Sequence, residues 1–230
     1  MSTTDRAESR TIPPLIDGER LDRATFHERY EAMPPDTRAQ LIGGTVVMMS
    51  PMRFDHGDAT YLLSGWLFVY TRGVRGLKAS AASTVMLDDQ AEPEPDLLLR
   101  VLPEYGGQIR AEGGYLAGAP ELVIEVSRST RRTDLGPKFA DYERAGVLEY
   151  LVVALDPDEV HWFVRREDRF IRLTPDVDGV IASEAFPGLW LDTAALFADD
   201  DDALALAVER GKATPEYAAF AQALAARGAR

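Results

Sequence analysis

The sequence predicts one α/β domain carrying a helical C-terminal appendage. Continuously apolar runs of strand length, such as Leu122-Val123-Ile124, alternate with stretches whose apolar residues recur at helical spacing. After residue 198 the composition shifts to Ala- and Leu-rich helix, with neither an internal repeat nor a linker before it. A chain of 230 residues supports one sizeable core, since folding at this size removes about 70% of the unfolded surface from water.

Residues 1–22 read as a lead-in, disordered at its start and extended from Pro13-Pro14. Arg23 to Ala32 reads as a short helix closed by Pro34-Pro35. Gln40 to Met49 reads as a hairpin turning on Gly43-Gly44. In the next helix, Asp55 to Arg72, the residues Ala59, Leu62, Trp66 and Val69 form the expected core face. Strands over Leu77 to Leu87 and Asp96 to Leu102 follow, joined by an acidic link, and Pro103 to Pro120 is expected as a long loop. Glu121 to Ser127 is a strand, Asp134 to Ala145 a helix stopped by Gly146, and Glu149 to Leu155 a strand. Asp156-Pro157-Asp158 turns the chain into Val160 to Arg165 and Arg169 to Leu173. Asp199 to Asp202 and Thr214-Pro215-Glu216 open the two tail helices, because acids suit a helix N-terminus and Thr caps it. The domain is thus expected over residues 23–198 and the tail over 199–230.

Composition removes several classes of function. Zero Cys excludes disulfides, thiolate–zinc sites, iron–sulfur clusters and a cysteine nucleophile. His27, His56 and His161 lack zinc-ligand spacing. No G-x-S-x-G elbow, Walker-type loop or G-x-G-x-x-G occurs. No apolar run approaches the ~20 residues of a bilayer span, and the polar start is unlike a signal peptide. A soluble cytoplasmic protein without a membrane partner is expected.

Three residues break the local pattern. Glu125 interrupts a strand that is apolar on both faces, where an unpaired carboxylate costs several kcal/mol. Asp96 opens a strand directly after Pro95. Lys138 falls with Leu135, Phe139 and Tyr142 at i, i+3, i+4 and i+7, on the apolar face of its helix. Each has a structural explanation as well: a strand end open to water, a strand-capping acid, a lysine snorkelling past Phe139. Taken together they suit one chemistry. Two carboxylates on neighbouring strands, with waters and a backbone carbonyl, can hold a hard cation such as Mg²⁺. The cation polarises a phosphodiester and acidifies water, and a nearby lysine orients that water or offsets charge on phosphorus. Asp96 and Glu125 as a glycosidase pair is a weaker fit, since that chemistry does not ask for an inward lysine.

In order along the chain stand Ala39-Gln40-Leu41-Ile42, Ser50-Pro51, His56-Gly57, Glu94-Pro95-Asp96-Leu97-Leu98-Leu99 and Gly118 to Val126. Asp134 to Lys138, Ala145-Gly146-Val147, Glu149-Tyr150 and Phe186-Pro187-Gly188-Leu189 follow. In this order the chain resembles the Uma2-like endonucleases, a former domain of unknown function within the PD-(D/E)XK nuclease superfamily, from about His27 to Phe197. The resemblance implies a restriction-endonuclease-like fold, a mixed central β-sheet flanked by helices. It implies Asp96, Glu125 and Lys138 as catalytic residues, with Mg²⁺ or Mn²⁺ on Asp96, Glu125 and the Val126 carbonyl. Ser127 occupies the usual lysine position of the motif, and Lys138 on the following helix stands in for it. Where relatives commonly carry Glu, this chain has Gln40, which keeps a carbonyl oxygen but lacks the charge. His56 matches the family pattern and is a candidate for phosphate or metal.

The implied partner is DNA, and a net charge of −13, from 25 basic and 38 acidic residues, works against it. Arg128, Arg131 and Arg132, just after Glu125, are the expected nucleic-acid contacts. Arg72, Arg75 and Lys78 form a second basic cluster, and Arg165, Arg166, Arg169 and Arg172 a third. The balance predicts weak, salt-sensitive, metal-dependent binding. A homodimer formed through the helical tail is also expected, and a catalytically silent binding or assembly module of the same fold is the alternative function.

Overall fold

A computed structural model describes residues 12–228; the start expected to be disordered, residues 1–10, lies outside the described residues. Asp22 caps α1 (Arg23–Glu31) by accepting the Thr25 N–H. Strands β1 (Ala39–Ile42) and β2 (Thr45–Met48) pair across Gly43-Gly44, both at positive φ, the hand a two-residue hairpin turn requires.

Helix α2 (Phe54–Thr71) fully buries Leu63, Trp66, Leu67 and Tyr70, whereas Ala59, Leu62 and Val69 are only partly buried at the edge of the core. The inward stripe is therefore rotated from the expected one. In a helix apolar on most sides, periodicity cannot choose between adjacent stripes, and the sheet beneath decides.

The single strand expected over 77–87 is two strands. β3 (Leu77–Ala81) and β4 (Val85–Met86) belong to different sheets, and the chain breaks between them after Ala82, which has positive φ. β5 (Leu97–Val101) begins directly after Asp96. The expected long loop contains a 3₁₀ turn (Pro103–Tyr105) and the hairpin β6 (Arg110–Glu112) and β7 (Tyr115–Ala117). These strands are three residues each, too short for alternation to register.

Beyond β8 (Leu122–Ser127) the chain is helical from 131 to 145. It comprises α3 (Arg131–Thr133), a π-helical turn (Asp134–Lys138) and α4 (Phe139–Ala145), ended by Gly146 at φ 91°. Pro137 lies inside the π turn and has no N–H for the α-helical ladder, so the widened turn carries the helix past it. β9 (Glu149–Leu155), β10 (Asp158–Arg166) and β11 (Arg169–Arg172) form a meander, followed by the short pair β12 (Val180–Ala182) and β13 (Trp190–Asp192). α5 (Thr193–Phe197), α6 (Asp201–Lys212) and α7 (Pro215–Arg227) complete the chain.

The central sheet has the order β11-β10-β9-β8-β5-β3. β8 and β9 are parallel and joined by the helical segment 131–145; the other pairs are antiparallel. This is the mixed sheet flanked by helices that the sequence predicts. One face packs Leu97, Leu99, Leu122, Ile124 and Val126 against α2. The opposite face packs Val123, Tyr150 and Val152 against Tyr142 and Phe139.

The tail helices join the first of these cores, with Leu204, Val208 and Leu224 buried beside Trp66 and Phe186. A Cβ on Gly211 would lie 2.3 Å from the Gly188 carbonyl oxygen, so α6 sits against the backbone of the domain. Leu204, Val208 and Leu224 of the tail are thus buried within the chain, while Leu206 stays exposed. Among the described residues no helix is long and apolar enough to cross a membrane.

Candidate active site

The antiparallel register of β5 and β8 pairs Leu97 with Ile124, Leu98 with Val123 and Leu99 with Leu122. Extended by one rung, it sets Asp96 opposite Glu125, on the sheet face that the helical segment 131–145 covers. Opposite residues of an antiparallel pair point to the same side, so two carboxylates meet at this end of the sheet. Asp96 Oδ2 accepts the Val126 N–H at 2.7 Å, and its Oδ1 lies 2.9 Å from His56 Nε2.

Helix 131–145 supplies the countercharge. Lys138 Nζ donates to Glu125 Oε1 at 2.8 Å and lies 3.7 Å from Asp134 Oδ1. The Tyr142 hydroxyl donates to the same Glu125 oxygen at 2.8 Å. Lys138 therefore points inward, as its place on the apolar face predicts, to the strand-borne glutamate.

The charges do not balance. Asp96, Glu125 and Asp134 surround one ammonium, with His56 at the rim. Burial first, then the neighbouring Asp96 and Asp134 carboxylates, raise the Glu125 pKa to about 8 against the pull of Lys138. Burial alone would lower the Lys138 pKa, but Glu125 and Asp134 outweigh it and hold it above its ordinary value. The lysine is charged, and the surplus of carboxylates retains a proton. The hydrogen bond to Asp96 holds the His56 pKa above its ordinary value.

The site reaches solvent through a cleft of about 270 Å³ walled by Gln40, Met49, His56, Asp96, Arg128 and Thr130, among others. The Asp96 side chain is 16% exposed there, while those of Glu125 and Lys138, at 4% and 7%, form the layer behind. Gln40 is buried in the cleft wall and accepts the Glu94 N–H at 3.1 Å.

Asp96, Glu125, Lys138, His56 and Gln40 thus come to one place, with Val126 beside them. The expected arginine patch is dispersed. Arg128 lines the cleft but pairs with Asp55, and Arg131 pairs with Glu159 on β10. Arg132 is exposed and has no ion pair among the described residues. Two neighbours escaped sequence reasoning, Asp134 and Tyr142. Their signal was the spacing itself, four residues either side of Lys138 on one helix face.

The donors here are hard oxygens, which suits Mg²⁺ or Mn²⁺. Asp134 Oδ2 is buried with no hydrogen-bond partner, and the carboxylate surplus is what a cation would neutralise. Among the described residues no group of three or more His, Asp and Glu side chains is arranged to hold a metal, so carbonyl and water ligands must complete any shell. With that condition the residues fit a divalent cation.

The chain matches, over residues 24–194, the family described as "Uma2: Putative restriction endonuclease". It belongs to the Uma2 family. Among solved structures it is similar to one described as a "putative nuclease belonging to DUF820 from Anabaena variabilis ATCC 29413". The two share 15% identity at a TM-score of 0.58, over 74% of this chain and 96% of that one, which establishes the common fold. No curated protein matches the sequence.

Proposed function

We propose that this Uma2 protein is a metal-dependent endonuclease that hydrolyses phosphodiester bonds of DNA. The observation carrying this reading is the meeting of Asp96, Glu125 and Lys138 at one end of the β5–β8 pair, behind an open cleft. Asp96, Glu125 and the Val126 carbonyl would hold Mg²⁺ or Mn²⁺. Such an ion polarises the phosphodiester and lowers the pKa of a bound water. Lys138 orients the attacking water or offsets charge developing on phosphorus. Tyr142 and Lys138 together fix one oxygen of Glu125, and His56 holds the outer oxygen of Asp96 at the cleft.

A plasmid-cleavage assay with Mg²⁺ or Mn²⁺ tests this against Asp96→Ala. Metal-dependent nicking by the wild type and none by the variant is expected. Equal traces in both overturn it and leave a catalytically silent binding or assembly module. That second reading draws on Gln40, which supplies no charge, and on Arg128 and Arg131, whose charges are already paired.

Gln40→Glu separates the two further. The new carboxylate stands in the cleft wall with Asp96, so Mn²⁺ affinity measured by calorimetry is expected to rise about tenfold, one added charge interaction of roughly 1.4 kcal/mol near a protein surface. Unchanged affinity places Gln40 outside the metal's reach.

A further inference from the structure

β3 is the edge strand of the central sheet, and its register sets Lys78 directly opposite Arg100 of β5. Like charges in that position repel, at a cost of roughly 0.2–1 kcal/mol. Among the described residues neither side chain has an ion pair, whereas Arg29, Arg38, Arg128 and Arg144 each hold a carboxylate. Extended by one rung, the β5–β8 register sets Glu121 opposite Arg100 from the other side, and its charge favours the guanidinium, but the two form no ion pair and the Glu121 oxygens accept the N–H groups of Val101 (2.9 Å) and Gln108 (3.1 Å). The half-buried Arg100 guanidinium makes one side-chain contact, donating to Ser80 Oγ at 2.9 Å.

Both cations line a pocket of about 390 Å³ whose remaining wall includes the hydroxyl residues Ser80, Ser83 and Thr84 and the glycine turn before Tyr115. Paired cations, hydroxyl donors and no acid in the wall form a receptor for an oxyanion, and the planar guanidinium favours phosphate. We infer that Lys78 and Arg100 form a phosphate-binding pocket, distinct from the cleft at Asp96.

Asp96, Leu98 and Arg100 alternate onto one sheet face, and Leu98 between them is covered by Val85 and Ile109. The pocket and the cleft are therefore separate openings, about 13 Å apart at ~3.3 Å per residue. The phosphate could belong to a nucleic-acid backbone or to a small phosphorylated compound. The first source rests on the nuclease reading; the second does not.

The test compares Arg100→Gln and Lys78→Gln with the parent, all carrying Asp96→Asn so that no DNA is cut. Inorganic phosphate is titrated by calorimetry, and a labelled DNA duplex by fluorescence anisotropy in Mg²⁺ at several salt concentrations. Phosphate binding by the parent and its loss in both variants is expected. If the source is DNA, duplex affinity also falls about three- to tenfold and the salt slope decreases by about one. Loss of phosphate binding with unchanged duplex affinity assigns the pocket to a small phosphorylated ligand. Loss of phosphate binding where the parent binds no duplex keeps the pocket as a site for a small phosphorylated ligand. Phosphate bound equally by all three, or bound by none with duplex affinity unchanged, overturns the inference. Lys78 is exposed, so its variant remains informative if Arg100→Gln fails to fold.

Discussion

Lys138→Met is expected to abolish cleavage and to lower stability by about 3–5 kcal/mol at pH 8, because it strips the cation from two buried acids. Methionine keeps the volume, so the loss is electrostatic and not a cavity effect. The pH dependence follows from Glu125, whose folded pKa of about 8 lies above the ordinary 4.5. A carboxylate raised in this way contributes most stability when protonated, and the contribution is lost as pH rises through that window. Without the ammonium, Glu125 and Asp134 are raised further, so their loss continues to higher pH. Toward pH 4 both acids, with ordinary values of 4.5 and 3.8, are protonated in the folded protein, and Lys138 itself becomes a buried charge with weakened counterions. There the variant should equal or exceed the wild type. Urea melts at pH 4 and pH 8, with chelator present, measure the crossover. Equal destabilisation at both pH values would show that Lys138 acts through packing alone.

The site was more legible in the sequence than the scaffold around it, and for a physical reason. Glu125 and Lys138 each break an apolar pattern, and a buried charge must have a partner, so either residue points toward the other. The convergence of Asp96 required a strand register that no local pattern encodes. Elements with strong period or a sharp punctuator were readable: the Gly43-Gly44 hairpin, the Gly146 stop and the Thr214 cap. The strands β6, β7, β12 and β13 were not, since three residues show no period and their pairing is decided in space. The tail was readable as two helices, but not as part of the core. Its contact with α2 through Leu204 and Val208 is long-range, and an amphipathic helix does not say which surface it covers. The surroundings of the arginines after Glu125 were not legible, because proximity in sequence says nothing about the acids, Asp55 and Glu159, that the fold brings to Arg128 and Arg131.

Glu149→Ala is expected to be the most damaging single change outside the site, costing about 3–5 kcal/mol at neutral pH. Glu149 is buried at the start of β9, and its carboxylate gathers donors from two distant places. Trp162 Nε1 (3.0 Å) and Ser183 Oγ (2.7 Å) reach one oxygen; the N–H groups of Glu184 (2.7 Å) and Ala185 (2.9 Å) reach the other. These bonds tie the central sheet to the segment that delivers Phe186 into the main core. Alanine leaves four donors facing a void, and each unsatisfied buried group costs about 1–3 kcal/mol unless water enters. The donors do not fully repay the burial, which lifts the Glu149 pKa from 4.5 to about 6. Protonated Glu149 therefore favours the folded state, and that advantage is lost as pH rises from 4.5 through 6. Alanine has no proton to lose. The stability gap between wild type and variant should thus narrow by about 2 kcal/mol between pH 4 and pH 7. Chemical denaturation at both pH values measures it: a gap that widens toward neutral pH means the four hydrogen bonds outweigh desolvation, and Glu149 is held ionised in the folded protein.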